Sequence, residues 1–407
     1  NKLAYDLIRG IPQMVGLRTQ FVHLYVKDNT EESGGKFEDY GIYTQVEQLN
    51  KTALKSHGLD SNGQLYKINF FEFYRYEDII KKEDDAGYDK TAFEKMLEIK
   101  GDSDHTKLID MLTDLNDYSI GIEDVLKEHF DEENIVYWMA FQILMGNVDT
   151  QNRNVYLYSP LNSDIWYFIA WDNDDCLKRP EYELKNYSDQ SSWEKGISNY
   201  WGNILFQRCL KSRSFREKLN DAILDLREYL NKDMLTSKIE SYKNVLKPYL
   251  YLMPDAEYEP LTSEQYDQIA ASLPDEIEKN YQLYLESLET PMPFYIGVPT
   301  IDGDKLKFNW DVSYDLDAED ITYSVEVARD YLFRDVIYQN TTLIVPEAEM
   351  DLPEAGQYFV RVRATNTSGK TQDAFDYYVT DEGKHYGMRC FYITEDSTVE
   401  EDDYEEG

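Results

Sequence analysis

Two short runs of acidic and amide side chains hold the residue types that phosphoryl transfer needs. The first run is NVDTQNRN at positions 147–154, and the second is WDND at positions 171–174. A carboxylate can orient a hydroxyl that attacks phosphorus, and carboxylate and amide oxygens can hold a magnesium ion. Because phosphoryl transfer depends mainly on positioning and charge neutralisation, these groups are sufficient for it.

The first run has the spacing of a catalytic loop in protein kinases. Asp149 and Asn154 stand as Asp-x-x-x-x-Asn, in which the aspartate faces the substrate hydroxyl and the asparagine binds magnesium. Alone the motif is weak, because Asp and Asn are common in loops and cap turns there. The second run has a similar alternative, a strand end that enters a turn with Asp174 or Asp175 in solvent.

The chain between the two runs predicts how they meet. Asp172 follows Asp149 by 23 residues, which is enough for two strands and a turn. Residues 155–158 and 165–170 have the apolar and aromatic composition of strands, and residues 159–164 are typical of a turn. Since a hairpin brings its two ends together, we expect Asp149, Asn154 and Asp172 to converge on one magnesium-bound nucleotide.

Composition indicates a globular and strongly acidic protein. The 407 residues are 42% hydrophobic and 14% aromatic, and the formal net charge is −38. This length allows two domains with buried cores. The charge argues against nucleic acid and anionic membranes as partners, and it favours basic proteins and divalent cations. The alternative that the acidity serves only solubility remains open.

Several classes of site and segment are excluded by residue usage. The three cysteines form no Cys-x-x-Cys pair, and the five histidines are scattered. A zinc site, a disulfide framework and histidine-based catalysis are therefore not expected. No apolar run reaches about 18 residues, so we expect no membrane insertion.

The first 290 residues predict a mixed α+β body with a helical C-terminal half. An apolar helix ends near Met145 and runs directly into the Asp149 loop, so the loop should stand on a rigid support. A polar stretch at 179–194 is expected to be a flexible loop near the site. Helices are expected at 2–11, 91–99, 105–115, 201–209, 214–229, 235–246 and 263–288, and one or two helices are expected over 123–145. Strands are expected at 21–26, 40–47 and 63–70, with a polar loop at 31–36.

The pattern changes after a proline-containing linker at 290–293. Segments with a two-residue period at 305–310, 322–327 and 356–363 predict an all-β sandwich over residues 291–394. The stretch at 352–369 resembles the fibronectin type III pattern, in which Trp310 and Tyr358 would anchor the core. The acidic segment 395–407 is predicted to be a disordered tail or a linker.

In combination, the two runs resemble the CotH kinase family, the secreted and spore-coat protein kinases. The family signature is an Asn-x-Asp-x-x-x-x-Asn-x-Tyr loop, an aromatic strand and a Trp-Asp-x-Asp segment. The matching residues here are Asn147, Asp149, Asn154, Tyr156, Trp171, Asp172 and Asp174. The resemblance covers about residues 1–290, and it implies an atypical protein-kinase-like domain that is truncated at its N-terminus.

This resemblance implies a role for each matching residue. Asp149 would be the catalytic aspartate that faces the substrate hydroxyl, and Asn154 and Asp172 would hold Mg²⁺. Asp174 would be an additional ligand. The implied cofactors are ATP and Mg²⁺, or Mn²⁺ in its place.

Two further residues are candidates for the nucleotide site. Lys67 would contact the phosphates as a compact positive charge, or it would be an exposed strand lysine. Glu47 would orient Lys67, by analogy with the Lys–Glu pair of ordinary kinases, or it would face solvent. The chain departs from ordinary kinases, since no Gly-x-Gly-x-x-Gly loop is present and Asp172 is not followed by Phe-Gly.

The function expected from the resemblance is Mg-ATP-dependent phosphoryl transfer. The acceptor would be a Ser or Thr hydroxyl of an extracellular or cell-surface protein of a bacterium, and a basic acceptor would complement the charge of −38. The alternative is a non-catalytic pseudokinase that acts as a cell-surface scaffold or adhesion component.

Overall fold

The structure is a computed structural model that describes residues 1–30, 35–177 and 191–401. It is mixed α+β, with helices concentrated in the middle of the chain and strands in the C-terminal region. The described residues fall into two compact units. The first is drawn from residues 1–178 and 203–281, and the second from residues 179–202 and 282–407. The sequence-based boundaries at 290 and 394 remain predictions.

The helices provide most of the body of the first unit. They are α1 (Lys2–Ile8), α2 (Lys51–Ser56), α3 (Lys90–Met96), α4 (Thr106–Asn116), α5 (Ile122–His129), α6 (Glu132–Met145), α7 (Ile204–Lys211), α8 (Arg213–Tyr229), α9 (Lys232–Leu250) and α10 (Ser263–Leu288), of which residues 282–288 belong to the second unit. The strands of this unit are β1 (Thr19–Lys27), β2 (Phe37–Val46), β3 (Gln64–Ile68), β4 (Leu97–Ile99), β5 (Val155–Ser159) and β6 (Tyr167–Ala170). No helix in the described part of the chain is long and apolar enough to cross a membrane.

A four-stranded antiparallel sheet in the order β4-β3-β5-β6 carries the candidate site. In the β5–β6 pair Val155 lies opposite Ala170, and in the β3–β5 pair Lys67 lies opposite Tyr156. The predicted hairpin is therefore present. Because its first and last residues are paired, the segments that precede β5 and follow β6 leave the sheet side by side.

Helix α6 lies under this sheet and ends where the Asp149 loop begins. The Asp131 side chain caps its N-terminus by accepting a hydrogen bond from the backbone of Asn134 at 3.0 Å. The helix is buried on nearly all sides, and Trp138 packs on Phe168 of β6 with ring centroids 5.1 Å apart. It ends at Gly146 with φ +62, a left-handed conformation that glycine adopts without strain. The expectation of a rigid support for the loop agrees with this packing.

The observed helices differ in detail from the predicted helical segments. The segment 123–145, for which one or two helices were expected, forms two, α5 and α6, because Phe130 has extended backbone and Asp131 begins a new helix as its cap. The predicted helix at 91–99 stops at Met96, and Leu97–Ile99 becomes the strand β4. This strand pairs with β3, so tertiary pairing overrides helical periodicity there.

The strands of the second unit are β7 (Thr300–Asp302), β8 (Lys305–Asn309), β9 (Ile321–Ala328), β10 (Val336–Leu343), β11 (Glu347–Asp351), β12 (Gly356–Asn366), β13 (Thr371–Asp373), β14 (Tyr377–Thr380), β15 (Gly383–Tyr386), β16 (Met388–Ile393) and β17 (Val399–Glu401). Two antiparallel sheets share one apolar core: the smaller has the order β11-β8-β7, and the larger has the order β10-β9-β12-β16-β17 with β13 also paired to β12. Strands β14 and β15 pair as a separate two-stranded sheet. The shared core includes Leu306, Val325, Val362, Trp310 and Tyr358. The fibronectin type III assignment remains a prediction.

Two segments that were expected to be loops or tails differ in part. Val399–Glu401 is strand β17, paired with Phe391–Ile393, and Glu401 forms an ion pair with Arg389 at 2.8 Å. The prediction of a disordered tail or linker was therefore wrong for these residues, because pairing with β16 holds them, and residues 402–407 lie outside the described part. Within the predicted loop at 179–194, residues 179–190 also lie outside it, as do residues 31–34 of the loop at 31–36.

The core of the second unit supports a stability prediction. Leu306→Ala should lower the free energy of unfolding of this unit by about 2–5 kcal/mol, because the truncation leaves a cavity in a closed apolar core. Hydrogen exchange of the β12 amides, followed by mass spectrometry, measures this change. The control is Leu332→Ala, whose side chain is 50% exposed and should cost less than about 0.5 kcal/mol. An equal effect of the two substitutions would contradict the shared core.

Candidate active site

The loop that carries Asp149 is tied back onto the helix before it. Asp149 lies in a single 3-10 turn, Val148–Thr150. The Asn147 side chain donates a hydrogen bond to Oε1 of Gln142 at 3.0 Å, and its backbone N–H donates to the Gln142 carbonyl at 3.0 Å. The Thr150 hydroxyl donates to the Asn147 carbonyl at 3.0 Å. The turn therefore has a buried polar anchor on α6.

Both oxygens of the Asp149 carboxylate accept hydrogen bonds from the same loop. Arg153 donates to Oδ1 from Nε at 2.5 Å and also from Nη2. Asn154 donates from Nδ2 to Oδ2 at 2.7 Å, and the same nitrogen donates to the Asp149 carbonyl at 3.1 Å. Asn154 reaches back in this way because its backbone is left-handed, with φ +57. The two ends of the Asp-x-x-x-x-Asn motif are thus joined by a side-chain hydrogen bond.

The hairpin brings Asp172 to the same place. The Trp171 N–H donates to the Asn154 carbonyl at 3.2 Å, next to the Val155–Ala170 pair. Asp172 follows with φ +50, and its N–H donates to the Tyr5 hydroxyl at 2.9 Å. Left-handed backbone is uncommon for residues other than glycine, and such residues cluster at functional sites. The structure thus brings Asp149, Asn154 and Asp172 together.

Electrostatic crowding marks the Asp172 carboxyl. Burial raises its pKa, and the neighbouring charge of Asp174 raises it further. Lys67 on β3 lowers the pKa and Asp149 raises it, so both of their charges act on this carboxyl. The net effect is a raised pKa, and burial of the carboxyl is its largest cause.

A second group of contacts holds the far side of the loop. Asn152 donates from its side chain to Glu72 at 2.8 Å, and its carbonyl accepts from the Phe71 N–H at 2.8 Å. The Asn203 side chain donates to the Gln151 carbonyl at 2.8 Å. The loop is therefore fixed between α6, the segment after β3 and the start of α7.

Four residues with structural roles at the site are absent from the sequence-based candidates. They are Tyr5, Glu72, Arg153 and Asn203. Arg153 had a local signal, because it follows Asp149 by four residues within one short loop. The other three come from distant parts of the chain, and no local pattern connects them with the loop.

The expected pair between Glu47 and Lys67 is corrected by the structure. Glu47 accepts a hydrogen bond from Nε of Arg18 at 3.0 Å and contacts Nε2 of His57 at 2.8 Å. Its ion pairs in the described part of the chain are with these two residues, and none joins it to Lys67. The β2 strand ends at Val46, so Glu47 turns towards α2 and its C-terminal His57.

The donor set fits a hard divalent cation. No group of three or more His, Cys, Asp or Glu side chains that could hold a metal occurs among the described residues. The set at the hairpin is different, since it combines Asp172 and Asp174 with the Asn154 amide. The amide nitrogen of Asn154 is used by Asp149, which leaves its Oδ1 for a cation. Mg²⁺ uses one or two carboxylates with waters and phosphates, so these oxygen donors are compatible with it.

Comparison with known proteins gives one family match. A family model described as "CotH kinase protein" matches residues 1–284, a range that includes the Asp149 loop and the β5–β6 hairpin. No curated protein matches the chain.

The Glu47 contacts predict a pH dependence of stability. Burial alone would raise the pKa of Glu47, but hydrogen bonds from Arg18 and His57 outweigh it and lower the pKa from 4.5 to about 2. A depressed pKa contributes stability that is present above the unfolded value and is lost as the pH falls from about 4.5 to about 2. Glu47→Gln should therefore cost about 2 kcal/mol at neutral pH, less than the full shift because Arg18 is largely exposed.

Urea unfolding of the wild type and of Glu47→Gln between pH 7 and pH 3 measures this dependence. The difference between the two proteins should shrink as the medium becomes acidic. The control is Glu217→Gln, since Glu217 forms an exposed ion pair with Arg213 on α8 and its loss should cost under about 0.5 kcal/mol. A difference that stays constant across this range would show that the Glu47 charge has no part in it.

Proposed function

The chain belongs to the CotH kinase protein family, and on this basis we propose that it transfers the γ-phosphoryl group of ATP to a Ser or Thr hydroxyl. The observation that carries the proposal is the bridging position of Asn154. Its side chain contacts Asp149, and its carbonyl accepts from Trp171, next to Asp172. One residue therefore connects the group that would face the acceptor with the groups that would hold the nucleotide.

In the proposed reaction Asp149 orients the acceptor hydroxyl. The hydroxyl oxygen forms a bond to the γ-phosphorus while the bond from this phosphorus to the β,γ-bridging oxygen breaks. ADP leaves with the bridging oxygen, and the hydroxyl proton moves towards Asp149. The Asp149 side chain is 29% exposed, so an acceptor can reach it.

Asp172, Asn154 and Asp174 would hold Mg²⁺ in this proposal, and Lys67 would contact phosphate oxygens. When bound, Mg²⁺ supplies positive charge that neutralises the phosphate oxygens. Two observations support this role of Lys67. It lies on β3 opposite Tyr156 of β5, and its charge lowers the pKa of Asp172. Asp174 is exposed next to Asp172, where it adds a carboxylate to the donor set.

We propose a basic acceptor protein that lies outside the cell or on the surface of a bacterium. The formal charge of −38 supports a basic acceptor, because opposite charges speed encounter. The extracellular setting is what the resemblance to secreted and spore-coat kinases implies. A non-catalytic scaffold is the competing function, and the phosphoryl-transfer assay separates the two.

The proposal predicts that Asp149→Ala abolishes phosphoryl transfer while the fold is retained. The measurement is transfer of labelled γ-phosphate from ATP, with Mg²⁺ or Mn²⁺, to the chain itself and to a Ser-rich basic protein. Asp164→Ala is the matched control, because Asp164 is an exposed aspartate in the turn at the other end of the hairpin. If Asp149→Ala keeps activity within about tenfold of wild type, which corresponds to ~1.4 kcal/mol in the activation free energy, the assigned role is wrong.

A separate prediction concerns the nucleotide. Asp172→Ala should weaken binding of Mg-ATP by at least about tenfold, because a carboxylate ligand of the cation is lost. Isothermal titration of Mg-ATP, with circular dichroism as a check of folding, measures this. If the wild type neither labels an acceptor nor binds Mg-ATP, the scaffold function replaces the kinase.

A further inference from the structure

Arg153 holds the Asp149 carboxylate in one orientation. The Arg153 guanidinium donates to Oδ1 from two nitrogens, Nε and Nη2. Asn154 donates to the opposite oxygen, Oδ2, at 2.7 Å. The carboxylate is thus held from both sides, which fixes the direction of each oxygen.

The number of acceptor positions on Asp149 limits where a substrate can bind. An ionised carboxylate offers about four lone-pair positions. Three hydrogen bonds from Arg153 and Asn154 use both positions on Oδ1 and one on Oδ2. The position that remains lies on Oδ2, so an acceptor hydroxyl would donate to Oδ2.

The Arg153 side chain is itself supported. Its guanidinium carbon lies 5.2 Å from the centroid of the Phe70 ring, a distance at which a cation–π attraction acts. Phe70 is 49% exposed and immediately precedes Phe71, whose N–H donates to the Asn152 carbonyl. The Phe70 ring therefore belongs to the backbone segment that also holds the Asp149 loop.

We infer that Arg153 is a positioning residue for phosphoryl transfer, which fixes the Asp149 carboxylate so that Oδ2 faces the acceptor. This inference rests on the proposed function. In this role Arg153 acts through Asp149, to which its guanidinium donates. A planar guanidinium is needed for this, because two nitrogens must reach one oxygen in a fixed geometry that a lysine cannot reproduce.

The test is a comparison of Arg153→Ala and Arg153→Lys with the wild type in the full chain. We measure kcat, the KM for a Ser-rich basic acceptor and the Kd of Mg-ATP by titration calorimetry. Arg153→Ala should lower kcat on the order of 10²-fold, because a misplaced catalytic group costs about that much. Arg153→Lys should lose roughly tenfold, since the charge is kept and the two-nitrogen contact is lost. The Kd of Mg-ATP should stay within about twofold of wild type, because a positioning role places the effect of Arg153 on Asp149 and not on the nucleotide.

Two additional measurements separate positioning from general stabilisation. Methylguanidinium added in solution should restore part of the kcat of Arg153→Ala and leave Arg153→Lys unchanged, because the space for a guanidinium exists only in the alanine variant. Arg213→Ala is the matched control, since Arg213 forms an i,i+4 ion pair with Glu217 on α8. This control should retain wild-type kcat.

Each other outcome overturns the inference in a distinct way. If Arg153→Ala binds Mg-ATP tenfold more weakly with unchanged kcat, Arg153 contacts the nucleotide. If kcat increases, the Arg153 ion pair inhibits Asp149 by blocking it. Unchanged kinetics would leave only an exposed ion pair. An active wild type with unaffected variants overturns this inference alone, whereas a wild type without transfer overturns the proposed function first.

Discussion

The antiparallel pairing of β5 with β6 is the constraint on which the candidate site depends. Val155 lies opposite Ala170, so the residues on either side of the pair, Asn154 and Trp171, are held within hydrogen-bonding distance. A shift of one residue in this register would turn every side chain of a strand to the other face of the sheet. Because β5 is buried along its whole length, such a shift would exchange the side chains that its two faces bury. The register of the sheet therefore fixes the positions of the site residues.

The loop and the hairpin combine a rigid base with concentrated negative charge. Helix α6 and a set of buried amides anchor the loop, and Asn154 and Asp172 both have left-handed backbone. Burial raises the pKa of Asp172, the charges of Asp174 and Asp149 raise it further, and the charge of Lys67 lowers it. Left-handed backbone at residues other than glycine has a cost in free energy, which the surrounding contacts must offset.

Local patterns predicted the parts of this fold that depend on local physics. The hairpin between residues 155 and 170, the apolar helix before the loop and the strand-rich C-terminal region follow from side-chain periodicity. Strands β4 and β17 were missed, since they are only three residues long and are held by pairing with a neighbouring strand. Glu47 was assigned the wrong partner for a related reason. Glu47 stands alone after a strand end, and no local feature of the sequence indicates whether it pairs with Lys67 or with Arg18 and His57.

The sequence by itself determined the reactive residue types, their spacing in the two runs and the hairpin that joins them, because each depends on residues close together in the chain. Membership of the family rests on a match that extends over residues 1–284. Only the tertiary structure decided which side chains support these residues. Tyr5 holds the Asp172 backbone, and Asn203 holds the loop from more than 50 positions away. Contacts of this kind arise when distant segments pack, so no window of sequence contains both partners.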